Sequence, residues 1–153
     1  MRQRINPVEE LATDDPAAGL REAFALLMPI RRQRLRRSER QQRQHEQQLA
    51  RLQEEERAAA EQLTERQGSY QTLRAGFDVA CLGHQPLSQL QRGLHQEDRA
   101  AEAVQQQRQT VRESAAQCAA QSEQLTSARA ETQLRQRELE KLELLMQEHE
   151  VKP

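Results

Sequence analysis

The chain has almost no aromatic side chains. It lacks tryptophan and has one tyrosine, Tyr70, and two phenylalanines, Phe24 and Phe77, in 153 residues. Valine and isoleucine are also scarce, so neither a bulky globular core nor a buried sheet is expected. No run of eighteen apolar residues occurs, so no membrane-spanning helix is expected. Residues 1–15 are charged and have no apolar h-region, so a secretory signal is not expected either. Lysine appears only as Lys141 and Lys152, which leaves the positive charge to arginine. The two cysteines, Cys81 and Cys118, have neither metal-ligand spacing nor a disulfide framework, and both are expected to be reduced.

What remains is helix-forming. Leu, Ala, Glu, Gln and Arg dominate, charged residues make up 31% of the chain, and the formal net charge is -1. Such a composition belongs to a coiled coil or to a disordered polar chain, and periodicity separates the two. Steps of three and four trace one register: Phe24, Met28, Arg31, Leu35, Ser38, Gln42, His45, Leu49, Leu52, Glu56, Ala59, Leu63, Arg66, Tyr70, Leu73, Phe77 and Ala80. A second seam reads Leu90, Leu94, Glu97, Ala101, Val104, Arg108, Val111, Ala115, Cys118, Ser122 and Leu125. It then slips by one residue and continues through Ala128, Thr132, Arg135, Leu139, Leu142, Met146 and His149.

The one strong interruption is Cys81-Leu82-Gly83-His84-Gln85-Pro86, where glycine stops a helix and proline restarts one. The expected fold is all-α: two long helices in an antiparallel coiled-coil hairpin, preceded by a short Pro-broken helix. The expected segments are a leader (1–16), a short helix ending at Pro29 (17–29), a first coiled-coil helix (30–80), a loop (81–86) and a second coiled-coil helix (87–150). Folding the chain at the loop brings apolar ends together. It also brings the polar stretch 38–48 opposite the polar stretch 119–137.

The sequence offers little chemistry. His45, His84, His95 and His149 have no metal-ligand spacing, and no phosphate loop, dinucleotide fingerprint or nucleophile elbow occurs. No enzyme activity and no cofactor are expected. The main charge feature is Arg31, Arg32, Arg34, Arg36, Arg37, Arg40 and Arg43, seven arginines within thirteen residues. On a helix, Arg32, Arg36, Arg40 and Arg43 form one stripe. It reads as a docking stripe for an acidic protein surface. Two other readings are a solvated face partly balanced by Glu138, Glu140, Glu143, Glu148 and Glu150, and a nucleic-acid contact. The leucine-poor seam after the run, and the break at Gly83, argue against a zipper-type DNA-binding protein.

The helix opening Leu27-Met28-Pro29-Ile30-Arg31-Arg32-Gln33-Arg34 and the tip residues Tyr70, Phe77, Ala80 and His84 resemble a known family. These are the central stalk proteins of type III secretion and flagellar export, the FliJ/YscO/HrpO-like family. The resemblance extends from about Leu20 to Val151. It implies a non-catalytic stalk at the cytoplasmic face of a secretion apparatus, linking a hexameric secretion ATPase to the cytoplasmic ring of the export gate. It also implies an escort role for chaperones of secreted substrates. Arg31, Arg32, Arg36, Arg40 and Arg43 are then candidates for the ATPase contact, and Phe77, Leu82 and His84 for the export gate. The stalk is expected to be monomeric alone and to use neither nucleic acid nor stable membrane insertion. The alternative from another class is a general coiled-coil scaffold that self-associates.

Overall fold

The computed structural model describes residues 16–80, 83 and 86–149. The expected leader up to residue 15, and loop residues Cys81, Leu82, His84 and Gln85, lie outside that set. Two helices account for nearly all of it: α1, Pro16–Ala80, and α2, Leu87–Glu148. No described helix is long and apolar enough to cross a membrane. The two helices pack against each other as an all-α helical hairpin in two compact units. One unit joins α1 up to Gln44 with α2 from Thr126, and the other spans His45–Leu125.

Local chemistry explains the ends. Pro16 opens α1, a position where its missing N–H is not needed. The carbonyl of Pro86 accepts hydrogen bonds from the backbone N–H of Gln89 (3.0 Å) and Leu90 (3.2 Å), so α2 starts just after the proline. At the far end, the N–H of His149 bonds to the Leu145 carbonyl at 3.2 Å.

Residues 17–29 were expected as a separate short helix. They are helical but continuous with residues 30–80, and Pro29 lies inside α1. Proline removes one backbone donor and leaves the carbonyl four residues earlier without it, at about 3 kcal/mol in a helix interior. Here that carbonyl belongs to Ala25, and both Ala25 and Pro29 are exposed, so water can serve it. On the other side of the helix, Phe24 and Met28 are buried and hold the two turns in line.

In the first unit, Phe24, Met28, Leu142 and Met146 form one buried cluster, with Leu20 and Leu139 packed against it. Leu27 and Leu145, each one residue before a cluster residue, are exposed. Each fully buried apolar side chain contributes roughly 1.5–3 kcal/mol, so this cluster is the strongest apolar anchor of its unit. Farther along, the Arg31 guanidinium donates to the Glu138 carbonyl of the facing helix at 2.7 Å. The pairing is antiparallel, since Phe24 and Met28 precede Arg31 while Leu142 and Met146 come after Glu138.

The second unit is antiparallel by the same test and is sewn by polar side chains. The buried Gln107 amide donates to the Ala59 carbonyl at 2.9 Å. Two heptads on, the buried Gln121 amide reaches the His45 carbonyl at 3.3 Å and the His45 Nδ1 at 2.9 Å. A carbonyl can only accept, so the amide presents its NH2, and Nδ1 must accept as well; the His45 proton sits on Nε2. Arg66 adds a donor to the Ala103 carbonyl at 3.2 Å. Among the described residues, no buried side-chain nitrogen or oxygen lacks a partner.

These contacts correct the expected α2 seam. The inward residues are Leu90, Gly93, Glu97, Ala100, Val104, Gln107, Val111, Ser114, Cys118, Gln121 and Leu125, then Ala128, Thr132, Arg135, Leu139, Leu142 and Met146. That is one unbroken alternation of three and four, with no slip after Leu125. The expected Leu94, Arg108, Ala115 and Ser122 are exposed, and small or amide residues one position earlier take their places. The α1 register holds from Phe24 to Leu63. Beyond that, Arg66, Leu73 and Ala80 are exposed while Tyr70 and Phe77 stay partly buried.

Leu142 is 2% exposed and Leu144, two residues on, is 56% exposed. Leu142→Ala is expected to cost about 2–4 kcal/mol, and Leu144→Ala less than about 0.5 kcal/mol. Urea unfolding followed by circular dichroism measures both, and equal effects would contradict the assigned seam.

Candidate docking surfaces

Helical geometry splits the arginine run into three roles. Arg31 is partly buried and spent on the Glu138 carbonyl, so it belongs to the seam as much as to any surface. Arg32, Arg36, Arg40 and Arg43 are all exposed and share one outer face, as their spacing predicts. Arg34 and Arg37, left out of that stripe, line a cleft of about 390 Å³ with Ser38, Gln41, Glu131 and Arg135.

The expected neutralisation by the acidic end of α2 is slight. Glu138 accepts from Arg135 at 3.2 Å, and Glu131 lies 3.6 Å from the same guanidinium. Glu140 accepts from Gln136. None of the exposed arginines Arg32, Arg34, Arg36, Arg37, Arg40 or Arg43 has an ion pair or hydrogen bond among the described residues. The contrast is Arg57, clasped by Glu54 and Glu61 on its own helix. The hydrogen bond and charge of Glu54 raise the Arg57 guanidinium, and those of Arg57 lower the Glu54 carboxyl. An acid three or four residues away neutralises an arginine cheaply; Glu39 stands three residues from Arg36 and four from Arg43 but forms no ion pair with either.

The second candidate surface lies near the turn. Phe77 is half-buried, with its ring laid over Gly93, where an added Cβ would overlap it. Beside that ring is a groove of about 370 Å³ lined by Leu73, Gly76, Phe77, Ala80, Arg92 and Gly93, with Thr72, Gln89 and Gln96 at its polar rim. Val79, Leu87 and Leu94 are exposed in the same unit. Of the three residues proposed for the export gate, Phe77 is placed in this groove. Leu82 and His84 lie outside the described residues.

The remaining reactive groups have structural surroundings. Cys118 is a buried free thiol. Burial raises it above the ordinary thiol range, and the hydrogen bond and charge of Glu56, with the charge of Glu55, push the same way. A thiol held protonated is a poor nucleophile. His45 is engaged by Gln121, while His95 and His149 are exposed. Among the described residues, no three His, Cys, Asp or Glu side chains converge to hold a metal ion.

Sequence reading missed Gly93, Gln107, Gln121 and the cleft at Arg34 and Arg37. Stepping from Leu90 to the bulky Leu94 set the expected register one residue late at alternate positions and hid the first three. Requiring one unbroken register through Leu90, Leu142 and Met146 together would have found them.

Gly68 has open space where a Cβ would go, whereas Gly93 meets Phe77. Gly68→Ala is therefore expected to stabilise by roughly 0.5–1 kcal/mol through helix propensity. Gly93→Ala is expected to lose that gain to overpacking of about 1–3 kcal/mol and to melt below the parent chain. Thermal melts of the two variants check the sign. In a Cys81→Ser background, Cys118 is expected to react with a thiol reagent at least about tenfold slower in buffer than in urea; equal rates would show it accessible. No protein-family model, no curated protein and no solved structure matches the chain.

Proposed function

We propose that the chain is a non-catalytic central stalk of a type III secretion apparatus, linking the hexameric secretion ATPase to the export gate. The observation that supports this reading most is the unneutralised arginine face of Arg32, Arg36, Arg40 and Arg43 on a well-paired helix. Four uncompensated cations on a helix face are suited to a wet, salt-sensitive contact with an acidic protein surface. In this reading they meet the ATPase, and Arg31 holds the helix against α2 beneath them. The groove at Phe77, with Leu82 and His84 of the turn, meets the cytoplasmic ring of the gate. Escort of secretion chaperones belongs to the same role, and the site of action is the cytoplasmic face of the apparatus.

A self-associating scaffold is the second reading, favoured by the exposed leucines Leu26, Leu134 and Leu144. Sedimentation separates the two, because the stalk is expected to be monomeric at micromolar concentration. The direct test is a pull-down with the cognate secretion ATPase. The fourfold variant Arg32→Glu, Arg36→Glu, Arg40→Glu, Arg43→Glu is expected to abolish ATPase binding and any stimulation of ATP hydrolysis. Its far-UV circular dichroism should match that of the parent chain. Undiminished binding by a folded variant overturns the assignment.

A further inference from the structure

The cleft at Arg34 and Arg37 is separate from the arginine stripe that faces the ATPase in the stalk reading. Leu27, Ile30, Arg34, Arg37 and Gln41 succeed one another at steps of three and four, each one residue before a seam position of α1. On α2, Glu131, Leu134, Glu138, Lys141 and Leu145 stand in the same relation to the α2 seam. In an antiparallel pair, two such rows fall on the same flank. The cleft bears this out, since Arg34, Arg37 and Gln41 line it together with Glu131. Arg32, Arg36 and Arg43 each come directly after a seam position and fall on the opposite flank.

This flank combines two kinds of unused surface. Ile30 (46% exposed) and Leu27 (39%) leave apolar area in water one and two turns from Arg34, and Leu134 and Leu145 do so across the seam. The one acid that lines the cleft, Glu131, is already taken, and so is Glu138 on the same row. Arg135 clasps both Glu131 and Glu138. Arg34 and Arg37 are therefore the uncompensated charges of a recess whose floor is the small, buried Ser38. A guanidinium fork matches a carboxylate in two-point geometry. Apolar side chains at helical spacing accept the leucines of a second helix. Nucleic acid would use the arginines but leave the leucines idle.

We infer that this flank, Leu27, Ile30, Arg34 and Arg37 with Leu134 and Leu145, binds an acidic amphipathic helical segment of a partner protein, its carboxylates entering the cleft. The inference stands apart from the stalk reading, since it uses none of Arg32, Arg36, Arg40 or Arg43. Either can fail without the other.

The test is fluorescence anisotropy of the full chain with a labelled synthetic peptide of leucine and glutamate, its leucines at helical spacing. The parent chain is expected to bind it. Arg34→Glu with Arg37→Glu is expected to weaken binding at least about tenfold. Leu27→Ala with Ile30→Ala is expected to weaken it about fivefold. Arg32→Glu with Arg36→Glu, of equal charge change on the other flank, is expected to change it less than about twofold. Circular dichroism and melting check folding, and if the Glu pair unfolds, Arg34→Gln with Arg37→Gln carries the same expectation.

Several results would overturn the inference. One is equal loss from both charge-reversed pairs, which marks general attraction. Another is equal affinity for a scrambled peptide of the same composition. A third is tighter binding of random single-stranded DNA through Arg34 and Arg37. The last is a sedimentation dimer that only the Arg34 and Arg37 variant dissolves, which makes a second copy the occupant.

Discussion

The hydrogen bonds that cross between the helices are the constraint on which the rest of the structure depends. Gln107 and Gln121 on α2 donate into the carbonyls of Ala59 and His45 on α1, two heptads apart on both helices. A helical carbonyl is already used within its own helix, but its second lone pair remains available. Each such bond contributes only about 0.5–1.5 kcal/mol net, yet a buried amide left without a partner costs about 1–3 kcal/mol. A slide of one heptad would not merely weaken the pairing; it would replace the partners of both amides at once. The seam thus gains register from residues that give it little burial, in the manner of a lone polar residue in a coiled-coil core.

Register then fixes which side chains face outward. Gly93 comes to lie under Phe77 only in this alignment, and the groove near the turn depends on that close approach. In the other unit the same phase turns Arg135 inward, where it clasps Glu131 and Glu138, and turns Arg31 onto the Glu138 carbonyl. Arg135 and these two acids satisfy one another. Arg32, Arg34, Arg36, Arg37, Arg40 and Arg43 of α1 are left without an ion pair among the described residues.

Much of this was legible in the sequence, and what was not has a physical cause. The α1 register was readable because Phe24, Met28, Leu35, Leu49, Leu52 and Leu63 mark it with bulk. The break at Gly83 and Pro86 was readable because glycine and proline fall there within four residues, whereas Pro29, Gly68 and Gly93 each stand alone inside a helix. On α2, Leu94 was a poor guide. It is exposed, while glycine takes the seam so that a phenylalanine can lie flat against the backbone. Gln107 and Gln121 were hidden in glutamine-rich stretches, where nothing in composition separates a buried amide from a solvated one. Pro29 misled for the opposite reason. Proline in a helix interior usually marks a break, but here the lost hydrogen bond falls on the solvent side of a helix pinned by Phe24 and Met28. The cleft was invisible because it depends on which α2 residues stand across from Arg34 and Arg37.

A seam built this way constrains the kind of surface the protein can offer. With few bulky residues to bury, α1 and α2 each keep a narrow inward stripe, and most of each helix faces water. The apolar residues beyond the stripe therefore sit beside charged ones, in mixed rows such as Leu27, Ile30, Arg34 and Arg37. A mixed row cannot sustain the large dry contact of an obligate complex, because guanidiniums must keep partners or water. It can support a smaller contact in which charge sets the rate of encounter and orientation, and a few leucines set how long the partner stays. The same scarcity of aromatic mass that denies the chain a globular core thus leaves each helix with outer faces that mix apolar and charged side chains.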